Sequence, residues 1–65
     1  MFAEERKNKI EERINKLGKV TVNKLAKKYN VSKATIRRDL SDLEALGLLR
    51  RTHGGAVKPL HTKNE

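Results

Sequence analysis

The sequence predicts a mainly α fold in which three helices are closed by a small β-hairpin. Three observations lead there. Stretches with apolar residues at helical spacing run through most of the chain up to Leu46. Each is followed by glycine or asparagine, the residues that best tolerate a left-handed backbone, at Gly18, Asn30 and Gly47. The pair Gly54-Gly55 then sits between two runs of apolar, β-compatible residues.

The first helix is expected over Ala3 to Leu17, a stretch without Gly or Pro and rich in Glu, Lys and Arg. Ala3, Ile10, Ile14 and Leu17 fall on one stripe at about 100° per residue. "KVTV", Lys19 to Val22, alternates polar and β-branched residues and has the pattern of one short strand. Thr21 is an N-cap candidate for a second helix over Val22 to Tyr29. Lys24 stands where a capping box would place Glu.

The next turn is tight. Asn30 can take the left-handed conformation, Val31 can plug into the core, and Ser32 is a strong N-cap candidate for the third helix. Two helices joined so closely must cross steeply, as in a helix-turn-helix. The third helix is expected from about Lys33 to Leu46, with Gly47 as its cap. Taking Ile36 as zero, Leu40 and Leu43 lie near about 40° and 340° and define the buried stripe. Arg38 lies near about 200°, between Ala34 and Ser41 at about 160° and 140°. Its outward face is therefore small and polar around one arginine, which lets it approach another surface closely.

Leu48–Arg51 and Ala56–Lys58 are expected as two hairpin strands, with both glycines at the turn supplying positive φ angles. The domain is expected to span residues 1–58, with 59–65 a polar tail or the start of a linker. The order of elements is that of a winged helix-turn-helix.

Composition narrows the function. The chain has 65 residues and no cysteine, so one modest apolar core must hold it without disulfides or thiolate metal sites. Sixteen Lys and Arg against eight Asp and Glu leave a net charge of +8, which favours a polyanionic partner. No apolar run approaches the roughly 18 residues of a membrane span. "MFAEERKNK" lacks the apolar core of a signal peptide, so a cytoplasmic location is expected. An enzyme is not expected, because a converging polar cleft needs more chain than this. No cofactor is expected either. His53 and His61 have no acidic or cysteine partners at metal-ligand spacing.

The segment "VTVNKLAKKYNVSKATIRRDLSDLEALGLLRRTHGGAV" closely resembles the N-terminal DNA-binding domain of the DeoR family of bacterial transcriptional repressors. The resemblance runs from Arg6 to Val57 and is carried by "VSKATIRRDL", "LEALGLL" and "RTHGGA". Lys24 departs from it, since the family often has an acidic residue there. The resemblance implies sequence-specific binding of an operator in double-stranded DNA. It also implies an effector domain for a sugar phosphate, absent from this chain, in an intact protein that is homo-oligomeric. The isolated domain is then expected to be a monomer.

Within that frame the candidate contacts are as follows. Arg38 either reaches a guanine edge or phosphate, or is a solvated partner of Asp42. Arg37 is a candidate phosphate contact, with a structural ion pair as the alternative. Lys33, Ala34 and Thr35 occupy the first turn, where recognition helices meet bases, and Ser41 extends that face. Ser32 and Thr21 are caps that can also lie near the backbone. Arg51, Thr52, His53 and Gly54 form a hairpin tip suited to phosphates or a minor groove. Asp39 is expected to be structural, paired with Arg13 or Arg50, and Tyr29 and Phe2 are expected in the core.

Two rivals fit less well. A protein-interaction module would present an apolar patch where the third helix is polar and basic. An RNA or membrane-surface binder would need aromatic platforms or bulky amphipathic anchors.

Overall fold

A computed structural model describes residues 2–59. Helix α1 spans Ala3–Leu17, strand β1 Lys19–Thr21, helix α2 Val22–Tyr29 and helix α3 Lys33–Ala45. Strands β2, Arg50–Thr52, and β3, Gly55–Val57, complete the described elements. The three strands form an antiparallel sheet in the order β1-β3-β2. This is the winged helix-turn-helix arrangement. The short strand of "KVT" is therefore not isolated: Val20 pairs with Ala56 across the sheet.

One core sits between the helices and the sheet. Ile10 and Ile14 of α1, Leu25 and Ala26 of α2, and Ile36, Leu40 and Leu43 of α3 are buried in it. Val20, Val22, Leu49 and Ala56 close it from the sheet side, with Tyr29, Val31 and Leu48 packed at its edge.

The helix ends follow their residues. Thr21 Oγ1 accepts the Lys24 N–H at 3.2 Å, and Ser32 Oγ accepts the Thr35 N–H at 3.1 Å. Asn30 takes φ 55°, and Val31 N–H donates back to the Ala26 carbonyl at 3.0 Å. The apolar residue after the cap is thereby turned onto the core. Helix α3 ends one residue earlier than expected. Gly47, at φ 77°, donates to the Glu44 carbonyl, and Leu48 N–H donates to that of Leu43.

That closure uses Leu48 and leaves Leu49 as a core residue, so β2 begins at Arg50 instead of Leu48. Strand β3 likewise runs one residue earlier than expected, from Gly55 to Val57. The turn between them is His53-Gly54, and only Gly54 has a positive φ, 130°. Gly55 is needed for space. A Cβ there would fall onto the Val20 carbonyl oxygen of the neighbouring strand.

Two further expectations are corrected. The stripe of α1 has the expected phase, but Ala3 and Leu17 lie at the helix ends and are exposed, Leu17 to 57%. The buried position one turn before Ile10 is held by Arg6. Phe2 is 84% exposed and is no core residue, because it precedes α1 and nothing packs over it among the described residues. His61 and most of the expected 59–65 tail lie outside the described residues.

Candidate nucleic-acid interface

Helix α3 places its residues around the core stripe as the helical phase requires. Lys33, Ala34, Arg37 and Arg38 are exposed; Thr35 and Ser41 are half-buried. Ser32 and Thr35 sit together at the N-terminus, their hydroxyl oxygens 2.9 Å apart.

Two grooves flank this outward face. On one side an open cleft of about 320 Å³ separates α3 from the hairpin. Arg37 of α3 lines it together with Arg51, Thr52, His53 and Gly54 of the hairpin. The hairpin is fixed there by α3 itself. The Arg51 backbone N–H donates to Glu44 Oε2 at 2.9 Å, and Arg51 Nη1 donates to Ser41 Oγ at 2.7 Å. The turn is tied from below, where Val22 N–H at the start of α2 donates to the Gly54 carbonyl at 2.9 Å. Three cationic or protonatable side chains, Arg37, Arg51 and His53, thus share one cleft with no carboxylate among its lining residues.

On the other side a groove runs between α3 and the first turns of α1. Ala34, Thr35 and Arg38 line it with Ala3, Arg6 and Lys7. Asp42 belongs to this groove and pairs with Lys7, whose Nζ is 2.9 Å from Asp42 Oδ2. The alternative pairing of Asp42 with Arg38 is therefore corrected: the lysine reaches across from α1 and takes the carboxylate. That hydrogen bond raises the Lys7 pKa above its ordinary value. Arg38 stays exposed on the wall of this groove.

Asp39 is structural, but its partner is neither Arg13 nor Arg50. The Arg6 guanidinium donates to both carboxylate oxygens, through Nε to Oδ2 and through Nη2 to Oδ1 at 3.1 Å. Asp39 is 2% exposed and Arg6 7%. The hydrogen bond to Asp39 raises the Arg6 pKa, with burial working against it. The pair lies directly beneath the groove that holds Arg38 and fixes α3 against α1.

The structure therefore brings eleven of the expected residues onto α3, its cap and the hairpin. Thr21 stands apart, in a groove with Arg13, Lys19, Lys24 and Lys28. Sequence reasoning missed Asn23, which lines both the hairpin cleft and a groove shared with Ser32 and Lys33. It did not single out Lys7 among the lysines of α1. The available signal for Asn23 was its place two residues after the Thr21 cap, in the first turn of a helix. Nothing in the spacing of Lys7 singled it out from the other charges of α1. Among the described residues no group of three His, Cys, Asp or Glu side chains is placed to hold a metal ion, and no helix is long and apolar enough to cross a membrane.

Known proteins resemble this chain in sequence. The chain is 48% identical over 56 residues to the lactose phosphotransferase system repressor of Streptococcus mutans, covering 86% of this chain and 22% of that protein. It is 47% identical over 57 residues to the HTH-type transcriptional regulator GolR of Listeria innocua, covering 88% and 22%. Against the transcriptional repressor AccR of Agrobacterium fabrum it is 46% identical over 54 residues, covering 83% and 21%. The chain thus spans about a fifth of the length of these relatives. No solved structure gives a significant match. The model of the DeoR-like helix-turn-helix domain matches residues 6–62, and the chain belongs to that family.

Proposed function

We propose that this chain is the operator-reading domain of a transcriptional repressor, with residues 1–58 as the reading domain and 59–65 as tail or linker. Double-stranded DNA is its partner. The observation that carries the reading is the outward face of α3, exposed and polar around Arg38 and flanked by the basic cleft of Arg37, Arg51 and His53. A helix of this width fits a major groove, and its first turns bring Lys33, Ala34 and Thr35 toward base edges. Arg38 reads a base, with Ser41 behind it. Ser32 and Arg37 hold phosphates beside the helix N-terminus. The hairpin tip, Arg51 to Gly54, lies along the backbone, and Thr21 makes a further backbone contact.

Repression follows from occupancy: a domain seated on an operator that overlaps a promoter excludes polymerase. The name of one relative, the lactose phosphotransferase system repressor, supports control of sugar or related metabolism genes. A sugar-phosphate effector would act through a further domain, in an intact homo-oligomeric protein of the cytoplasm; the isolated domain is a monomer. It carries out no catalysis of its own.

Selection of bound sites from a random duplex library tests this reading. A consensus half-site is the expected result. Recovery of no enriched sequence, or tighter binding to single strands at matched salt, would contradict it.

A further inference from the structure

Lys7 and Asp42 face each other across the groove on the α1 flank of α3, away from the hairpin. The Lys7 side chain is 20% exposed and that of Asp42 48%, so the lysine lies along the groove wall and the carboxylate stands at its open side. Asp42 follows Arg38 by one turn, displaced about 40° around the helix. It therefore stands at the rim of the surface that the proposed function turns toward DNA.

A carboxylate at that rim repels a polyanion whatever its sequence. Its pairing with Lys7 cancels both charges and occupies the lysine. The pair is not required to join the helices, because Arg6 and Asp39 already do so from within the core.

We propose that Asp42 and Lys7 form a charge latch at the edge of the duplex-facing surface. Asp42 withholds Lys7 from the DNA backbone and so keeps sequence-independent binding weak. The inference rests on the reading of α3 as a duplex-binding helix. Its value to a repressor is selectivity: a genome offers a vast excess of competing sites, so what matters is the ratio of specific to non-specific affinity.

The test measures binding of mixed-sequence duplex DNA over a salt series by fluorescence anisotropy. The proteins are the parent chain, Asp42→Asn, Lys7→Gln and the double variant, each checked by thermal melting. Asp42→Asn should tighten binding on the order of 5–10-fold near 0.1 M salt and steepen the slope of log K against log salt by about 0.9, the mark of one added phosphate contact. In the Lys7→Gln background the same substitution should leave the slope unchanged. The latch is overturned if Asp42→Asn binds like the parent, or if the steeper slope survives the loss of Lys7. A parent chain that binds no duplex at all removes the DNA reading and the latch together; a parent that binds normally isolates any failure to the latch.

Discussion

Arg6 of α1 and Asp39 of α3 are joined by a buried two-point ion pair that sets one helix against the other. The contact spans 33 positions of sequence and lies under the groove beside Arg38. Its two hydrogen bonds fix rotation as well as distance, because a planar guanidinium meets a planar carboxylate in one orientation. The face that α3 turns outward is thus determined partly by a charge pair inside the protein.

Breaking this pair from one side should be severe. Arg6→Ala or Asp39→Ala leaves a buried charge without its partner, at a cost of about 3–5 kcal/mol. A domain of this size rarely has more than about that much stability. Both single variants should be largely unfolded in a thermal melt followed by circular dichroism. Replacing both, as Arg6→Met with Asp39→Leu, should restore a cooperative transition. If either single variant melted like the parent, the pair would not hold the helices.

Gly55 and Gly18 separate two uses of glycine. Gly18 takes φ 88° at the end of α1 with nothing within 4 Å of an added Cβ, so Gly18→Ala costs only conformational strain, about 1 kcal/mol. Gly55→Ala drives a methyl group into the backbone of β1 and should cost about 1–3 kcal/mol through displaced strands. The melting temperature should therefore fall further for Gly55→Ala. The reverse order would show that β1 and β3 yield easily.

Ser32 has two assigned duties that one substitution can part. Ser32→Ala removes the bond to the Thr35 N–H and should lower stability by about 1 kcal/mol. Ser32→Asp keeps a capping oxygen and should melt near the parent, yet it sets a carboxylate beside the proposed phosphate. Duplex affinity should drop for Ser32→Asp while the fold holds. Unchanged affinity would confine Ser32 to capping.

The hairpin should supply affinity more than selectivity. Arg51→Ala with His53→Ala removes side chains from the cleft beside Arg37. Binding should weaken on all sequences alike, and the salt dependence should flatten, as expected for lost phosphate contacts. Altered base preference with an unchanged salt slope would make the hairpin a reader instead.

The residues that announced the fold were those with local duties. Thr21, Asn30, Ser32 and Gly18 each act within a turn of chain, through their own backbone preference or one short hydrogen bond, so their roles can be read from neighbours alone. The apolar phase of α3 was equally readable, because 3.6-residue periodicity puts Ile36, Leu40 and Leu43 on one side whatever lies opposite. Partners distant in sequence were not. Asp39 plainly needed a cation, but Arg13 and Arg50 were the partners expected, and only the crossing of α1 and α3 brings Arg6 to it. Gly55 resembled its neighbour Gly54 as a turn residue, and only the pairing of β1 with β3 revealed it as a close approach. Lys7 and Asp42 are ordinary helix-surface charges in sequence, and their meeting depends on the same crossing.

Arg38→Ala tests the central claim, that the outward face of α3 reads duplex sequence, most directly. The measurement is its melting temperature together with its affinity for a selected operator and for a scrambled duplex. Arg38 is exposed and alanine favours helix, so melting should match the parent or rise slightly. Discrimination at one base-pair position should fall by about 1–3 kcal/mol, as for the loss of a bidentate guanine contact. Equal loss on both duplexes would make Arg38 a phosphate contact, and unchanged affinity for both would leave the face of α3 merely solvated; either result would contradict the account.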